Sequence, residues 1–212
     1  MNYFELINKC LIELNYREVD GWDRLTLNDH KRLKDILNRL NSQICSSENW
    51  SFLQRFMEME IFAGTTRIPI PITGKVDILC FNDNEYTYSD NYKSFLLGNP
   101  VSGRFTIYND FLYLPVFSES VDCQIFYNTD FSAMDEDGIE KKYLENESDI
   151  SLIPEAFQEA ILVYGACMRL KSNPDHNKFK YWYSMYNDAL STMRSKTSPT
   201  THLGSQIKLQ RG

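Results

Sequence analysis

The chain has 212 residues, of which 42% are hydrophobic and 14% aromatic, and its formal net charge at pH 7 is −7. This length and apolar content suffice for one substantial core or for two small domains at most. The acidic balance argues against a broad nucleic-acid-binding surface, which would need clustered Lys and Arg. No apolar stretch reaches the length of a membrane span, and the N-terminus lacks the basic region and long apolar run of a secretion signal, so we expect a protein made in a cytoplasm with no membrane partner.

Two helical patterns open the chain. Apolar residues recur at three- and four-residue intervals over residues 3–14, which predicts a short amphipathic helix. Thr26 and Asp29 then have the spacing of a capping box and predict the start of a second helix, whose apolar face runs over residues 33–44. Its opposite face is polar and mostly basic, which favours a solvated surface over contact with an acidic neighbour.

From about residue 55 to residue 127 the apolar period changes to two, which predicts several short strands. The run at 67–72 contains two prolines, which cannot donate ladder hydrogen bonds, so it belongs at a sheet edge or in an extended arm. Asn109 and Asp110 are suited to a hairpin turn. The better-buried strands are expected at residues 76–81, 104–108, 111–114 and 121–127. Together these runs predict a small antiparallel sheet or sandwich.

The segment at residues 130–149 is rich in acidic residues and predicts a charged, solvated connector. A calcium-binding loop could use Asp130, Asp135 and Asp137 as ligands. The sequence does not contain the loop motif with its terminal acidic ligand, so a plain loop is favoured.

Two more helices are expected at the C-terminal side. Pro154 suits the start of a third helix, in which Gly165 and its small neighbours allow close contact with another helix. A fourth helix is predicted at about 175–194, with an aromatic stripe that should lie mostly in the core. The residues of this stripe are Phe179, Trp182, Tyr183, Tyr186, Leu190 and Met193.

The last segment, residues 195–212, contains Lys196, Lys208 and Arg211 but no acidic residue, and its polar run cannot pack a core of its own. The sequence therefore predicts an α+β fold: a bundle of about four helices with a small antiparallel β-domain inserted between helices 2 and 3, and an extended C-terminal tail. The expected units are the N-terminal helices (1–54), the inserted β-domain (55–130), the acidic connector with the C-terminal helices (131–194) and the docking tail (195–212).

Residues suited to catalysis do not form a recognisable constellation. The three histidines have no partner at a catalytic or metal-ligating spacing, and the five cysteines are isolated, which favours reduced, buried thiols. Glu58 and Glu60 share one strand face. Two acidic residues in this arrangement are more often part of a solvent-exposed surface than the catalytic carboxylate pair of a glycosidase. We therefore expect no catalytic, cofactor-binding or metal-binding residues and no enzymatic activity.

Several segments resemble one known family. Residues 33–52, where a helix ends in Leu-Asn-Arg-Leu-Asn-Ser-Gln-Ile and leads to Trp-Ser-Phe, are similar to a helix and tryptophan of the tail tubular proteins of short-tailed bacteriophages. The Ile-Pro-Glu-Ala-Phe sequence at 153–157 and the Ile-Pro-Ile-Pro run are similar to segments of the same head-to-tail adaptors, which include the tail accessory factors. The resemblance covers about residues 5–195, with a longer insert at 81–99.

The resemblance implies a structural virion protein at the portal vertex, assembled in the cytoplasm of a host bacterium. Its copies would form a ring, commonly of about twelve subunits, between the portal protein and the tail or nozzle proteins, with double-stranded DNA passing through the lumen without specific binding. Lys196, Lys208 and Arg211 in the tail would then dock on the portal or on a neighbouring subunit.

Two alternatives remain open at this point. One is another connector ring, such as a stopper or tail-tube component. The other is a carbohydrate- or receptor-binding module, in which Tyr86, Tyr88 and Tyr92 would stack on sugar rings.

Overall fold

The computed structural model describes residues 1–173 and 177–197. Its helices fall mainly at the two ends of the described chain. They are α1 (Tyr3–Glu13), α2 (Asn28–Ser47), α3 (Tyr92–Leu96), α4 (Glu155–Gln158), α5 (Tyr164–Leu170) and α6 (Phe179–Thr197). A π-helical turn at Glu159–Val163 joins α4 to α5 without a break, and short 3₁₀ turns lie at Trp22–Arg24 and Ser51–Leu53.

The described strands form two sheets. The larger has seven strands in the order β1-β7-β3-β4-β5-β6-β2 and curls into a half-barrel. The smaller has three strands in the order β10-β8-β9. The strands are β1 (Gln54–Ile61), β2 (Arg67–Pro69), β3 (Gly74–Phe81), β4 (Asn84–Tyr88), β5 (Arg104–Tyr108), β6 (Phe111–Tyr113), β7 (Val121–Thr129), β8 (Ala133–Met134), β9 (Glu140–Lys141) and β10 (Ile150–Ser151).

Helix α1 forms as its apolar spacing predicts, and a capping box fixes its start. The side chain of Asn2 accepts a hydrogen bond from the Glu5 N–H, and Glu5 accepts one from the Asn2 N–H. The apolar face of α1 is fully buried against the later helices. The Tyr3 hydroxyl donates to the Lys34 carbonyl at 2.9 Å, which ties α1 to α2.

Helix α2 buries the predicted apolar face, including Leu33, Leu37 and Leu40. The expected capping box is wrong, because the helix begins at Asn28 and the residue before it, Leu27, provides no side-chain cap. The Asp29 carboxylate instead accepts a hydrogen bond from the Tyr16 hydroxyl at 3.1 Å. Local spacing predicted the helix but placed its N-cap at Thr26 instead of Leu27.

The helices enclose the larger of two hydrophobic clusters. Trp50 and Trp182 are fully buried in it, and the Trp50 indole N–H donates to the Ile44 carbonyl. Gly165 lies where three helices meet: a Cβ atom there would stand 2.6 Å from Leu40 of α2 and 3.1 Å from the Tyr186 ring of α6. The expected close helix contact at this small residue is confirmed.

The long antiparallel strands β1, β7 and β3 enclose a second hydrophobic cluster, which includes Leu79, Phe105 and Ile125. The predicted hairpin at Asn109 and Asp110 is confirmed, and both residues have the positive φ angles that such a tight turn needs. The proline-rich run supplies β2, which occupies one end of the strand order as predicted. Strands β4 and β5 pair in parallel, with α3 in the connection between them.

The expected fold class, a bundle of about four helices with a small antiparallel β insertion, is wrong. The chain is a mixed α/β protein in which the seven-stranded sheet has its own core, and a further sheet accompanies the helices. The segment at 130–149, expected to be a solvated connector, contributes β8 and β9 and buries Ala133, Leu144 and Asp149. Strands of two residues are too short for an alternating pattern to reveal them.

Asp149 organises this small sheet. Its side chain is fully buried and accepts hydrogen bonds from the N–H groups of Glu145 and Asn146, at 2.6 and 2.8 Å, and from the Lys141 ammonium at 2.9 Å. Burial acts to raise the pKa of Asp149, but the bonds from Asn146, Glu145 and Lys141 outweigh it, and the pKa lies below its ordinary value. The carboxylate therefore stays ionised inside the fold.

Replacing this carboxylate should destabilise the protein in a pH-dependent way. A lowered pKa in the folded state adds stability above the unfolded-state pKa of about 4, and this contribution is lost as the pH falls through the folded-state value. We expect Asp149→Asn to reduce the free energy of unfolding at pH 7 by about 3 kcal/mol, because it breaks a buried ion pair. Urea unfolding at pH 7 and pH 3 should show the difference shrinking in acid. The exposed Asp137 offers a control, and equal stability of Asp137→Asn and Asp149→Asn would contradict this role.

Enlarging Gly165 should separate the three helices that meet there. We expect Gly165→Val to cost about 1–3 kcal/mol through overpacking, which exceeds the gain in helix propensity. Combining Gly165→Val with Leu40→Ala should cost less stability than the sum of the two single losses. The smaller side chain at position 40 leaves room for the added methyl groups. Thermal unfolding of the four proteins measures this coupling, and strict additivity would show that the contact does not limit packing.

Candidate interaction surfaces

The structure offers no cluster typical of an active site among the residues it describes. His30 is buried in the first turn of α2, whereas His176 and His202 lie outside the described residues. Over residues 1–173 and 177–197, no group of three or more His, Cys, Asp and Glu side chains is placed to hold a metal ion. Within the same ranges, no helix is both long and apolar enough to cross a membrane.

The cysteines are all free thiols in the described chain. Cys10, Cys45, Cys123 and Cys167 are buried, as expected, and Cys80 is half-buried. Burial raises the pKa of Cys45 and of Cys123 to about 12, so neither is a thiolate at neutral pH.

An exposed apolar patch crosses the outer face of the large sheet. Phe56 of β1 pairs with Phe126 of β7, which in turn pairs with Ile78 of β3. Their exposed fractions are 51%, 39% and 37%, and the two phenyl ring centroids are 5.0 Å apart. We call Phe56, Ile78 and Phe126 the outer patch. Such a row on the solvent side of a sheet is typical of a contact surface.

The alternation along β1 explains why the outer patch exists. Met57, Met59 and Ile61 point toward the core of the sheet, so Phe56 is forced to the opposite face. The sequence predicted strands here, with Glu58 and Glu60 on one strand face, but did not identify Phe56 as exposed on that face. The signal was the alternation of Met57, Met59 and Ile61, which places Phe56 on the other side of the strand.

Acidic residues continue the same outer face beyond the patch. Glu60 of β1 lies directly opposite Asp122 of β7, and Glu58 accepts a hydrogen bond from Gln124 at 3.1 Å. We call Glu58, Glu60 and Asp122 the acidic row. Within the described residues no Lys or Arg forms an ion pair with any of the three. Two like charges directly opposite each other destabilise the strand pair.

A second exposed apolar surface lies on α6. Tyr181 and Met185, one helical turn apart, are 51% and 38% exposed, and we call them the α6 face. The stripe predicted for this helix is only partly in the core: Trp182 and Met193 are buried, and Tyr183 is open to solvent. The aromatic run winds around the helix, and the other helices cover only one side of it.

The tyrosines considered for sugar binding do not form one open platform. The Tyr92 ring stacks on Tyr108 with centroids 4.6 Å apart, and Tyr86 packs edge-on against Phe81 at 4.7 Å. Tyr88 is half-exposed and contacts Phe105. Two of the three rings are thus largely occupied by other aromatic side chains.

The residues predicted to dock on a partner fall at the end of the described chain. Lys196 is exposed in the last turn of α6. Lys208 and Arg211 lie outside the described residues.

Comparison of the chain with protein-family models and with curated proteins finds no match. The family resemblance therefore stays a prediction from the sequence.

Polar replacement of the outer patch should change association and leave the fold intact. We expect Phe56→Thr combined with Phe126→Thr to alter the free energy of unfolding by about 1 kcal/mol or less, because both side chains are already hydrated and the lost cross-strand aromatic pair is worth little. Light scattering at high protein concentration should show weaker self-association than in the parent chain. The matched control is Phe105→Thr, which removes a fully buried ring and should unfold the sheet. Unchanged association in the double variant would rule out the patch as a contact surface.

Proposed function

We propose that this protein is a structural virion protein: a head-to-tail adaptor whose copies form a ring beneath the portal, linking the capsid to the tail and letting DNA pass. The observation that carries the proposal is the presence of two different exposed apolar surfaces, the outer patch on the sheet and the α6 face on the helices. Each groups apolar side chains that are at least 37% exposed, and contiguous exposed apolar side chains are candidates for a protein contact. The family resemblance in the sequence supports the same conclusion.

Two unlike surfaces suit a ring better than they suit a dimer. In a closed ring each subunit presents one surface to the next subunit and a different surface to the previous one. A two-fold dimer needs only one self-complementary surface. The outer patch belongs to β1, β3 and β7, and the α6 face to another element, as a head-to-tail contact requires.

The charge of the chain suits a DNA conduit. A net charge of −7 per subunit, repeated around a ring, repels phosphates instead of binding them. Double-stranded DNA would then pass without specific contact. Residues 195–212 contain no acidic residue, and there Lys196, Lys208 and Arg211 would meet acidic residues of the portal or of a neighbouring subunit.

Assembly with the portal tests the proposal. We expect the purified protein to be monomeric in dilute solution and to form rings when mixed with the portal protein encoded in the same genome, because a single pairwise contact is weak until a template gathers several copies. Light scattering and negative-stain images report both states. Truncation after Thr197 should leave the fold intact and abolish capture by the portal.

Two outcomes would contradict the proposal. A reconstruction of the virion that places this protein away from the portal vertex would exclude the adaptor role. Failure of the full-length chain to bind portal, with binding to the nozzle proteins instead, would move it to another ring of the connector.

A further inference from the structure

A cleft lies where the end of α2 approaches the outer face of the large sheet. Its volume is about 370 Å³, and small-molecule sites have volumes of about 300–1,000 Å³. The cleft is lined by the end of α2 and the turn after it, by Lys75 of β3, Asn128 of β7 and Asp130, and by Lys142 and Tyr143. It therefore lies between the helical core and the large sheet.

Asn128 brings an unsatisfied hydrogen-bond acceptor to this cleft. The residue is only 8% exposed, and its side-chain N–H donates to the Asp77 carboxylate. An ionised carboxylate only accepts, so this bond determines which end of the Asn128 amide faces Asp77. Within residues 1–173 and 177–197, the other end, Oδ1, accepts no hydrogen bond. A buried acceptor without a donor is destabilising, and a donor on a bound molecule would satisfy it.

The strand register places the Asn128 side chain on the face that the cleft covers. Strand β7 lies between β1 and β3, and Asn128 is paired with Gln54 on one side and with Lys75 on the other. Side chains of directly opposite residues share one face of a sheet, and Lys75 lines the same cleft. The unsatisfied oxygen is therefore available to an occupant of the cleft.

The charged groups of the cleft have both signs. Among the described residues, Lys75, Lys142 and Asp130 form no ion pair, whereas Glu48 at the same cleft pairs with Arg194. An anionic ligand would meet a free carboxylate, and a cationic ligand would meet two free ammonium groups. A neutral hydroxyl group both donates and accepts, so it can bond to either kind of side chain.

An aromatic ring borders the cleft beside these polar groups. Tyr143 is 44% exposed, and the Lys142 ammonium lies 5.6 Å from the centroid of its ring. An exposed tyrosine ring offers an apolar face next to a polar edge. A sugar ring has the matching features, because its C–H groups form an apolar face and its hydroxyl groups surround that face.

We propose that this cleft binds a saccharide of one or two neutral sugar units. One sugar hydroxyl donates to Asn128 Oδ1, the sugar ring packs on Tyr143, and the free charged groups bond to further hydroxyls. The site is separate from the surface of Tyr86, Tyr88 and Tyr92, where other aromatic side chains occupy two of the three rings. The inference goes beyond the adaptor role and stands without it, since sugar binding needs one chain and no portal.

Two-dimensional NMR of the full-length protein tests the site. The probes are glucose, galactose, mannose, N-acetylglucosamine, lactose and maltose, each at millimolar concentration. At least one should shift the side-chain amide signals of Asn128, because a bond to Oδ1 changes the same amide group. The affinity should stay the same between about 50 mM and about 500 mM sodium chloride, because salt does not screen a neutral ligand. Equal binding of the methyl glycoside would indicate the terminal unit of a glycan, whereas its rejection would indicate a free sugar.

Variants of the cleft separate its two main contacts. Asn128→Leu should weaken binding by about tenfold or more, because it removes the acceptor. Tyr143→Ala should weaken binding about fivefold and leave the fold intact, since the ring is already largely hydrated. It carries the test if Asn128→Leu unfolds the sheet. The matched control is Tyr88→Ala, which removes a ring that is 50% exposed elsewhere on the sheet and should leave the affinity unchanged.

Three results would overturn the proposal. If none of the sugars shifted the signals of the cleft, a saccharide site would be excluded. Shifts with phosphate or citrate, and with none of the sugars, would assign the cleft to an anion. Binding lost with Tyr88→Ala and kept with Tyr143→Ala would move the sugar to the other surface. Sugar binding by a protein that the portal does not capture would refute the proposed function and leave this inference standing.

Discussion

The buried carboxylate of Asp149 stabilises the segment that joins the helical core to the large sheet. It fixes the loop before β10, and β10 forms the small sheet with β8 and β9. That sheet contacts α1 through the Tyr3 N–H, which donates to the Asp149 carbonyl at 2.8 Å, and contacts α2 through Asn41, which bonds to Ser132 and Ser151. On its other side Glu140 of β9 pairs with Arg55 of β1. A segment of few residues thus connects the helical core to the large sheet, because its polar groups are satisfied by both.

Much of the fold follows from patterns that the sequence displays. The apolar face of α2, the turn at Asn109 and Asp110 and the terminal position of the Ile-Pro-Ile-Pro run all came from local periodicity and turn chemistry. The size of the large sheet and the structural role of residues 130–149 did not follow from such patterns. In the sequence, a buried carboxylate such as Asp149 looks the same as a solvated one. Two of its hydrogen-bond donors are backbone N–H groups, and no sequence pattern identifies those. The outer patch was missed for a related reason: Phe56 looks like a core residue until the strand register assigns it to a face.

The interaction surfaces differ in how they arise. The α6 face exists because the aromatic residues of this helix cover more of its surface than the neighbouring helices can bury. The outer patch exists because the side chains of β1 alternate between faces, so Phe56 lies on the face of the sheet away from Met57. The acidic row is defined by the strand register, which places Glu60 directly opposite Asp122. The described chain therefore combines exposed apolar side chains with a row of acidic residues on the same molecule.

The π-helical turn at Glu159–Val163 determines which side chains face the core before and after it in one continuous helix. Before it, Gln158 is buried and donates to the Ile153 carbonyl at 2.7 Å, and after it Gly165 meets Leu40 and Tyr186. Each residue of a regular helix rotates the next by about 100°, so the wide turn holds one residue more than an α-helix of the same length would. Winding the same residues as a regular α-helix, with none removed, would rotate Gly165 away from α2 while Gln158 stayed in place. The helix therefore serves two separate contact sets that a uniform helix of this sequence cannot satisfy together.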